Sequence, residues 1–409
     1  MEIDGSDNPS ASGSRDVAEL ASLVRLVANG RASSRSELAR LTGFSRSTIS
    51  QRVDTLLRRQ LLIETGQGRS TGGRRPVLLS LNPGAGLILA ANLGATHGRL
   101  ALASLSGEIQ RDFAGAVDIA DGPAAVMSWA MGGFRKMLRD SGHSPADVRA
   151  IGVGVPGPVE FATGTVVHPP IMPGWDGVAV PGLMREHFAV PVVVDNDVNV
   201  MALGEYTAGA SAGCKEMLVV KVGTGIGCGI ITHGLLHRGA DGAAGDIGHV
   251  RLAGEDETVC VCGNTGCLEA VASGSAVAAR LRGEGFEARD ARDVVRLAQT
   301  RDPRVQQAVR AAGQRIGEVI AALVNFYNPD TVIIGGALAE LRNELLASIR
   351  GVIYHRALPL ATRHLTITTA SPGLDAGLVG TLALARQAAL SHGALFRSPV
   401  PAAELPHAE

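Results

Sequence analysis

The sequence lacks the two features that usually direct a chain into or across a membrane. No apolar run in its 409 residues approaches the ~20 residues needed to span a bilayer. Its first fourteen residues are acidic and polar, without the basic and apolar regions of a secretory signal. We therefore expect a cytoplasmic protein whose five cysteines are reduced thiols or metal ligands rather than disulfides.

Lysine is scarce, with three among 38 basic residues, and this scarcity by itself indicates no function. The whole-chain charge of −1 is equally uninformative, but residues 31–80 hold ten arginines against three carboxylates, a local charge of +7. A basic segment on a near-neutral chain is typical of proteins that bind a phosphate backbone, with a solvated arginine-rich face as the alternative. Apolar residues make up 45% of the chain, enough for the cores of two or three domains.

Residues 15–82 show the pattern of a winged helix-turn-helix DNA-binding domain. Ser34 precedes a helix and Glu37 follows it three residues later, which is a capping-box pattern, and Gly43 ends that helix. Ser45 opens the next helix, and two short strands around a basic loop would form the wing. The predicted elements are helices at residues 16–29, 35–42 and 46–60 and strands at 61–63 and 77–81.

Residues 83–392 are rich in glycine, alanine and valine and alternate regularly spaced strands with helical stretches, which predicts an α/β domain with mixed sheets. Residues 92–107 and 221–234 each combine a strand, a turn rich in glycine or threonine and a returning strand. Such turns can expose N–H groups to a phosphate, with ordinary tight turns as the alternative. The pair predicts two similar lobes that face a cleft. We expect disorder at both ends, residues 1–14 and 393–409.

Three cysteines and one histidine cluster within residues 249–269. Three thiolates and an imidazole make a closed tetrahedral set for zinc, and the glycines between them let the loop wrap around an ion. The residues are His249, Cys260, Cys262 and Cys267. The alternative is a set of buried free cysteines. Because no coordination position stays open, we expect zinc to be structural, and we expect Cys214 and Cys228 to be ordinary core residues.

The glycine pattern beside this cluster closely resembles the signature of the ROK family of repressors, open reading frames and kinases. The pattern runs Val222-Gly-Thr-Gly-Ile-Gly-Cys-Gly-Ile230 and continues with Gly239, Gly245, Gly248 and His249. The zinc segment and residues 152–159 and 195–199 resemble further family motifs. The resemblance extends from residue 84 to about 392, and the winged helix matches the regulator branch. It implies an α/β, actin-like (ribonuclease H-like) sugar-kinase fold of two lobes, assembled as a homodimer or homotetramer.

The resemblance also implies roles for polar residues between the lobes. Asn196 and Asp197 match the pair that holds sugar hydroxyls in the family's kinases, and Asp197 matches their general base, because a carboxylate can accept the proton of an attacking hydroxyl. Without the motif, Asp197 fits a loop-capping residue better. His249 and Glu269 match two further hydroxyl contacts, with the imidazole fixed by zinc. Asp246 stands where the kinases carry glutamate, which implies contact through water or a different sugar.

The nucleotide side departs from the family pattern. The first phosphate motif of the kinases carries an aspartate that helps to hold the magnesium of the nucleotide, and here the residue is Asn92. Because magnesium favours carboxylates, waters and phosphates, we expect weak binding of Mg²⁺ and ATP. The remaining nucleotide-side residues imply a cleft that is retained as architecture: Gly94, Thr96, Gly223, Thr224, Gly225, Gly227, Gly335 and Gly336.

Candidate DNA-binding residues lie on the first turns of the third helix and at the tip of the wing. A helix in the major groove brings such side chains to base edges and flanking phosphates, and basic wing residues can reach a minor groove or the backbone. The candidates are Arg46, Ser47, Thr48, Ser50, Gln51, Arg52, Arg74 and Arg75. We expect at most about half of them to touch bases.

These features predict a DNA-binding transcriptional repressor of carbohydrate metabolism that binds double-stranded operator DNA and responds to a sugar or sugar derivative. The first alternative is an active ATP-dependent sugar kinase, of the glucokinase or N-acetylhexosamine kinase type, with a regulatory DNA-binding arm and Asp197 as catalytic base. The second alternative is a protein-interaction scaffold built on an inactive kinase fold. The retained sugar-side residues argue against that scaffold.

Overall fold

The computed structural model describes residues 9–68, 75–391 and 395–396 of the chain, with side chains from residue 16 onward. Arg74, one of the residues predicted to contact DNA, lies outside the described residues. Within these ranges, no helix is both long and apolar enough to cross a membrane.

Three helices and a two-stranded antiparallel sheet form the N-terminal part, in the order predicted for a winged helix-turn-helix. They are α1 (Pro9–Ala28), α2 (Arg35–Thr42), α3 (Arg46–Arg58), β1 (Leu62–Gln67) and β2 (Val77–Leu81). The first helix starts at Pro9, within the segment 1–14 for which we expected disorder. A helix that is anchored by a buried face can extend through small residues, and proline in its first turn needs no N–H.

The second helix has the predicted ends but a different capping pattern. Ser34 Oγ accepts a hydrogen bond from the backbone N–H of Glu37, and Gly43 ends the helix with a left-handed φ of 74°. The Glu37 carboxylate accepts from the backbone N–H of Ser33 at 2.7 Å, rather than from that of Ser34 as a capping box requires. The Ser33 hydroxyl also donates to this carboxylate at 3.0 Å, which accounts for the shift by one residue.

The first lobe is built on a five-stranded mixed sheet. Its elements are β3 (Leu87–Leu93), β4 (His97–Ser104), β5 (Ile109–Ala116), α4 (Pro123–Asp140), β6 (Val148–Val155), β7 (Val159–Glu160), β8 (Thr165–Val166), α5 (Val180–Met184) and β9 (Val192–Asn196). The strand order is β5-β4-β3-β6-β9, with an antiparallel meander from β3 to β5 and two parallel strands beside it. Phe134 of α4 and Trp175 are fully buried in the core of this lobe.

The second lobe repeats this strand pattern. Its elements are α6 (Asp197–Ala208), β10 (Met217–Val222), β11 (Ile226–Thr232), β12 (Leu235–His237), α7 (Leu268–Ala272), α8 (Gly274–Gly283), α9 (Ala291–Ala298), α10 (Pro303–Tyr327), β13 (Thr331–Gly335), α11 (Ala347–Arg356), α12 (Pro359–Thr362), β14 (Thr366–Thr369) and α13 (Ala376–Ala389). The strand order β12-β11-β10-β13-β14 again joins an antiparallel meander to two parallel strands. The prediction of two similarly built lobes is confirmed.

Helices α6 and α13 pack against each other, and between them they contact both sheets. Two glycines allow this close approach. A Cβ at Gly380 would lie 1.6 Å from the carbonyl oxygen of Val200, and a Cβ at Gly204 would lie 1.8 Å from that of Ala376. Since Asp197 is the first residue of α6, this helix pair begins at a predicted sugar-binding residue.

The N-terminal domain shares one hydrophobic core with the first lobe. Leu23 and Val24 of α1 belong to the same buried cluster as Ile88 of β3 and Leu382 of α13, which packs on that sheet. Leu395, within the segment 393–409 that we expected to be a disordered tail, is also buried in this cluster. An apolar side chain near a chain end stays ordered when it finds an apolar surface to cover, and α1 contributes to that surface.

Candidate functional site

The two glycine-rich turns predicted to face each other lie near enough for charges of the second lobe to act on the first turn. In the β3–β4 turn, the backbone N–H of Gly94 donates to the carbonyl oxygen of His97 at 2.8 Å. Partial removal from water lowers the pKa of His97, and the positive charges of Arg292 and Lys221 lower it further. Lys221 precedes the β10–β11 turn, so charged groups of the second lobe act on a turn of the first.

Asp197 lies at the N-terminus of α6 with its side chain only 8% exposed, and it forms an ion pair with Lys221 of β10. Both polar atoms of the neighbouring Asn196 side chain form hydrogen bonds with the backbone. Its Oδ1 accepts from the backbone N–H of Val198 at 2.8 Å, and its Nδ2 donates to the carbonyl oxygen of Gly157 at 3.0 Å. Asn196 therefore caps α6 and joins it to the first lobe. Its role as a sugar ligand stays a prediction.

Glu269 lies beside the second glycine turn. Its Oε2 accepts a hydrogen bond from the backbone N–H of Ile226 at 2.9 Å, and burial raises its pKa. Gly225 permits this position, because a Cβ there would lie 2.3 Å from the same oxygen. A Cβ on Gly248 would also be 3.3 Å from it. Glu269, which was predicted to bind a sugar hydroxyl, therefore lies against both the β10–β11 turn and the segment that carries His249.

The four predicted zinc ligands converge. All their ligand atoms lie within 4.8 Å of one another, with His249 Nδ1 at 3.6 Å from Cys260 Sγ and Cys262 Sγ at 3.8 Å from Cys267 Sγ. Sulfur atoms bound tetrahedrally to one zinc ion at about 2.3 Å are separated by about 3.8 Å, so this spacing suits such an ion. The geometry favours a metal site over the alternative of separate buried thiols.

The thiols of this cluster differ in how readily they ionise. For Cys262, burial opposes ionisation, but hydrogen bonds from the backbone N–H of Asn264 and from neighbouring thiols outweigh it, and its pKa is lowered to about 7. Burial raises the pKa of Cys267 to about 12. A divalent cation would supply the positive charge that lets all three thiols ionise together.

His249 and Asp246 connect the cluster to the cleft. His249 Nε2, on the ring edge opposite the thiols, lies 3.9 Å from Asp246 Oδ1. The Asp246 side chain is half exposed, whereas that of His249 is 24% exposed. A metal held at Nδ1 would therefore leave Nε2 directed toward the carboxylates of the cleft.

The structure offers little to a magnesium ion at the position of Asn92. Its side chain lies between two glycines, since a Cβ on Gly154 would be 2.9 Å from its Oδ1 and one on Gly377 would be 2.2 Å from its Nδ2. Its Oδ1 is buried and accepts no hydrogen bond from the described residues. An oxygen enclosed in this way is not presented to a nucleotide-bound ion, so Asn92 does not fit the role of a ligand to that ion.

A cavity of about 420 Å³ is lined in part by Gly336, one of the predicted nucleotide-side residues. Arg99, which lines it, pairs with Asp112 at 2.6 Å and with Asp375 at 3.0 Å. Gly336 has φ 82°, and a Cβ there would lie 2.5 Å from the carbonyl oxygen of Val222. Gly336 is therefore needed for the close packing of this turn against β10.

An ion pair that the sequence reasoning missed joins the lobes beside the predicted sugar residues. Arg238, which follows β12, donates to the buried Asp195 at 2.8 Å, and its guanidinium lies 3.7 Å from the centre of the Phe161 ring. Asn199 also donates to Asp195 at 2.8 Å. The only sequence signal was the carboxylate-rich motif at residues 195–199, which does not identify an arginine 43 residues away.

Some of the residues predicted to bind DNA are exposed to solvent, and others are half-buried. Arg46, Ser47 and Gln51 are exposed on α3, and Arg75 is exposed beside the wing. Ser50 and Thr48 are half-buried, and the backbone N–H of Thr48 donates to the N-cap hydroxyl at 3.1 Å.

Arg52, which was predicted to contact DNA, makes contacts within the domain, and its role in DNA binding stays a prediction. Its side chain is 18% exposed, pairs with Glu19 of α1 and lies 4.2 Å from the centre of the Phe44 ring. Since its charge is paired within the domain, it holds α3 against α1. Arg35 acts similarly, with Asp54 of α3 at 2.8 Å and Glu64 of the wing at 2.9 Å.

The fold and the cleft define a class: a two-lobed, actin-like protein of the sugar-kinase type with a helical and winged N-terminal domain. The chain belongs to the ROK family, whose profile matches residues 88–388. It is 30% identical to the xylose repressor of Caldicellulosiruptor bescii over 375 residues, which covers 88% of this chain and 94% of that relative. It is 33% identical to the glucokinase of Halalkalibacterium halodurans over 304 residues, which covers 71% of this chain and 92% of that relative.

One solved structure shares the fold over nearly the whole chain. It is a ROK family transcriptional regulator, a homologue of the E. coli MLC protein, with a TM-score of 0.78 and 24% sequence identity. The match covers 93% of this chain and 98% of that one. The N-terminal part of the present fold is therefore included in the similarity.

Proposed function

We propose that the protein is a sugar-responsive, DNA-binding transcriptional repressor that acts in the cytoplasm as a homodimer or homotetramer. The single observation that carries this proposal is the N-terminal domain with an exposed polar and basic face on α3, built into one core with the ROK domain. The xylose repressor aligns with 88% of the chain, whereas the glucokinase aligns with only 71%. A repressor needs the additional N-terminal segment and a kinase does not.

The sugar would bind between the lobes, among carboxylates and one imidazole. The residues that we propose as its ligands are Asn196, Asp197, Asp246, His249 and Glu269. Carboxylates that are held by helix ends and backbone N–H groups are suited to receive hydroxyl hydrogen bonds. The Cys260, Cys262, Cys267 and His249 cluster would hold a structural zinc ion, which fixes the orientation of the imidazole and closes the loop that leads to Glu269.

DNA would be bound by α3 in the major groove and by the wing at the flanking groove or backbone. The exposed Arg46, Ser47 and Gln51 would reach base edges or phosphates, and Arg75 would contact the backbone. Sugar binding would then favour a lobe arrangement in which the paired N-terminal domains no longer match the spacing of the operator.

The test begins with selection of preferred duplexes from random DNA by the purified full-length chain. Gel shifts at physiological salt should then show preference for the selected sequence. One member of a panel of D-xylose, D-glucose and N-acetyl-D-glucosamine should weaken that binding about tenfold or more. Gln51→Ala should reduce the preference, whereas Arg304→Ala, an exposed change on α10, should leave it intact. Absence of any sequence preference would refute the proposal.

An ATP-dependent sugar kinase is the second candidate, favoured by Asp197 at the end of the cleft and by the intact β10–β11 turn. The enclosed oxygen of Asn92 argues against it. A coupled assay of ADP release over hexoses, N-acetylhexosamines and pentoses separates the two functions. Robust turnover that disappears in Asp197→Ala would place the kinase first.

A further inference from the structure

We infer that Lys221 is a ligand-contacting residue of the sugar cleft and that, together with Asp197, it selects two neighbouring hydroxyl groups of an uncharged sugar. The inference rests on the proposed function, because it concerns the same cleft. The hairpin motif of residues 221–234 begins at Lys221, but it assigns no role to the lysine side chain.

The position of Lys221 in the sheet is unusual for a lysine. It is the one residue of β10 that is not buried. Its partners on both neighbouring strands are glycines, Gly227 on β11 and Gly335 on β13. No side chain of these partners covers the lysine stem, so it can extend across the sheet surface.

The helix α6 lies over this same face. A Cβ on Gly227 would be 2.9 Å from a methyl group of Val198, and a Cβ on Gly335 would be 1.9 Å from the end of Met201. Residues that are paired across neighbouring strands point to one face of a sheet. Lys221 therefore leaves the sheet toward α6, and its ammonium ends at Asp197, the first residue of that helix.

The ion pair leaves both partners with hydrogen-bonding capacity. An ammonium has three N–H donors, and among the described residues Lys221 Nζ donates only to Asp197 Oδ2. In the same part of the chain, Asp197 Oδ1 accepts no hydrogen bond. The lysine side chain is 31% exposed and the aspartate 8%, so the ammonium is the more open partner. A donor and an acceptor thus stand side by side at the cleft.

This arrangement fits two hydroxyl groups on adjacent carbons. One hydroxyl can donate to Asp197 Oδ1 while its neighbour accepts from Lys221 Nζ. A phosphate or carboxylate fits less well, because the charge of Lys221 is already paired and Asp246 and Glu269 add carboxylates to the proposed sugar site. Nearby, Arg292 lowers the pKa of His97 and Asp375 raises it, so the opposite charges of these two residues offset each other. The local balance therefore favours an uncharged ligand.

The first experiment is titration calorimetry of the full chain with D-xylose, D-glucose and N-acetyl-D-glucosamine. For the sugar that binds most tightly, Lys221→Met should lower affinity roughly 10- to 100-fold, the range for a hydrogen bond to a charged group. Lys215→Met, which removes an exposed lysine of the same lobe, should leave affinity unchanged. Lys221→Arg should recover part of the loss, and thermal unfolding of each variant should report an intact fold.

The second experiment separates direct contact from support of Asp197. Each monodeoxy analogue of the bound sugar is titrated against wild type and Lys221→Met. If Lys221 contacts a hydroxyl, the analogue that lacks this hydroxyl should bind wild type more weakly than the parent sugar does. The Lys221→Met variant should bind that analogue and the parent sugar equally, because the contact is already missing. An equal further loss for every analogue would overturn the contact and leave a purely structural role.

Three other outcomes are informative. Unchanged affinity in Lys221→Met would overturn this inference while the proposed sugar response stands. Tighter binding of the 6-phosphate than of the parent hexose, lost in Lys221→Met, would show that the lysine holds an anion and would also overturn it. Failure of wild type to bind any sugar of the panel would remove both the inference and the proposed response, and gel shifts would still report DNA binding independently.

Discussion

At the scale of single residues, His249 connects the parts of the candidate site. One ring nitrogen lies 3.6 Å from Cys260 Sγ, and the other lies 3.9 Å from Asp246 Oδ1. A metal ion held at Nδ1 would determine which nitrogen faces the cleft and would keep the ring from rotating. The metal cluster and the hydroxyl ligands are therefore expected to respond to the same substitutions.

Cys262→Ser should lower the zinc content from about one ion per chain to less than half, because three ligands bind zinc less tightly than a closed tetrahedral set. Sugar affinity should fall with it, since His249 and Glu269 lose their fixed loop. Elemental analysis and calorimetry on the same preparation provide the measurement. Cys214→Ser, a half-buried thiol outside the cluster, is the control and should retain the ion. Full zinc occupancy in Cys262→Ser would contradict the assignment.

Contacts between residues that are close in the sequence could be predicted, whereas contacts between distant residues could not. The thiol cluster was predictable because its cysteines lie within eight residues, a spacing that is typical of metal ligands. The ion pairs Lys221–Asp197, Arg238–Asp195 and Arg52–Glu19 span 24, 43 and 33 residues. Only the folded chain brings these partners together, so no local sequence pattern predicts the contacts.

At the scale of elements, the strands were predictable and their order was not. Buried β-strands appear in the sequence as short apolar runs, so β10, β11, β13 and β14 could be recognised individually. The pairing of β10 with β13 joins residues more than a hundred positions apart, with Met217 opposite Thr331. No local pattern predicts that pairing, and the contact between α6 and α13 likewise uses glycines that are uninformative in the sequence.

Gly380→Ala should lower the free energy of unfolding by about 3 kcal/mol or more, because the added methyl group meets the Val200 carbonyl and the helices must separate. Chemical denaturation followed by circular dichroism gives this difference. Gly132→Ala is the matched control on the outer helix α4, where nothing lies within 4 Å of the new Cβ. That control should stabilise by about 0.5–1 kcal/mol, since alanine is the better helix former. Equal stability of both variants would show that α6 and α13 do not need the close approach.

At the scale of the whole molecule, the DNA-binding domain is joined to the effector domain by packing as well as by the chain. Leucines of α1 and α13 occupy one core, and the Arg59 guanidinium at the end of α3 lies 5.1 Å from the centre of the Phe396 ring. Arg386 of α13 adds a polar contact, donating to the carbonyl oxygens of Ala28 and Leu105. Because α13 also packs on α6, which begins at Asp197, we expect a shift at the proposed sugar site to reach α1 through this pair of helices.

Arg386 is the residue of this joint that can be tested most directly. Ala28 is the last residue of α1, and a guanidinium there satisfies a free carbonyl and interacts favourably with the negative end of the helix. Burial lowers the pKa of Arg386. In the described residues it pairs with no carboxylate, so its contacts are the two carbonyls.

Arg386→Gln should therefore loosen the end of α1 while leaving the sugar cleft intact. Amide hydrogen exchange over residues 26–32 should accelerate roughly 10- to 100-fold, as expected when a hydrogen bond from a charged donor is lost. Arg350→Gln is the matched control, since Arg350 also donates to a carbonyl, that of Ile367, but within the second lobe. It should accelerate exchange in β14 and not in α1. If sugar still weakens operator binding of Arg386→Gln by the wild-type factor, the signal does not pass through this contact, because coupling between two sites requires an element that both sites influence.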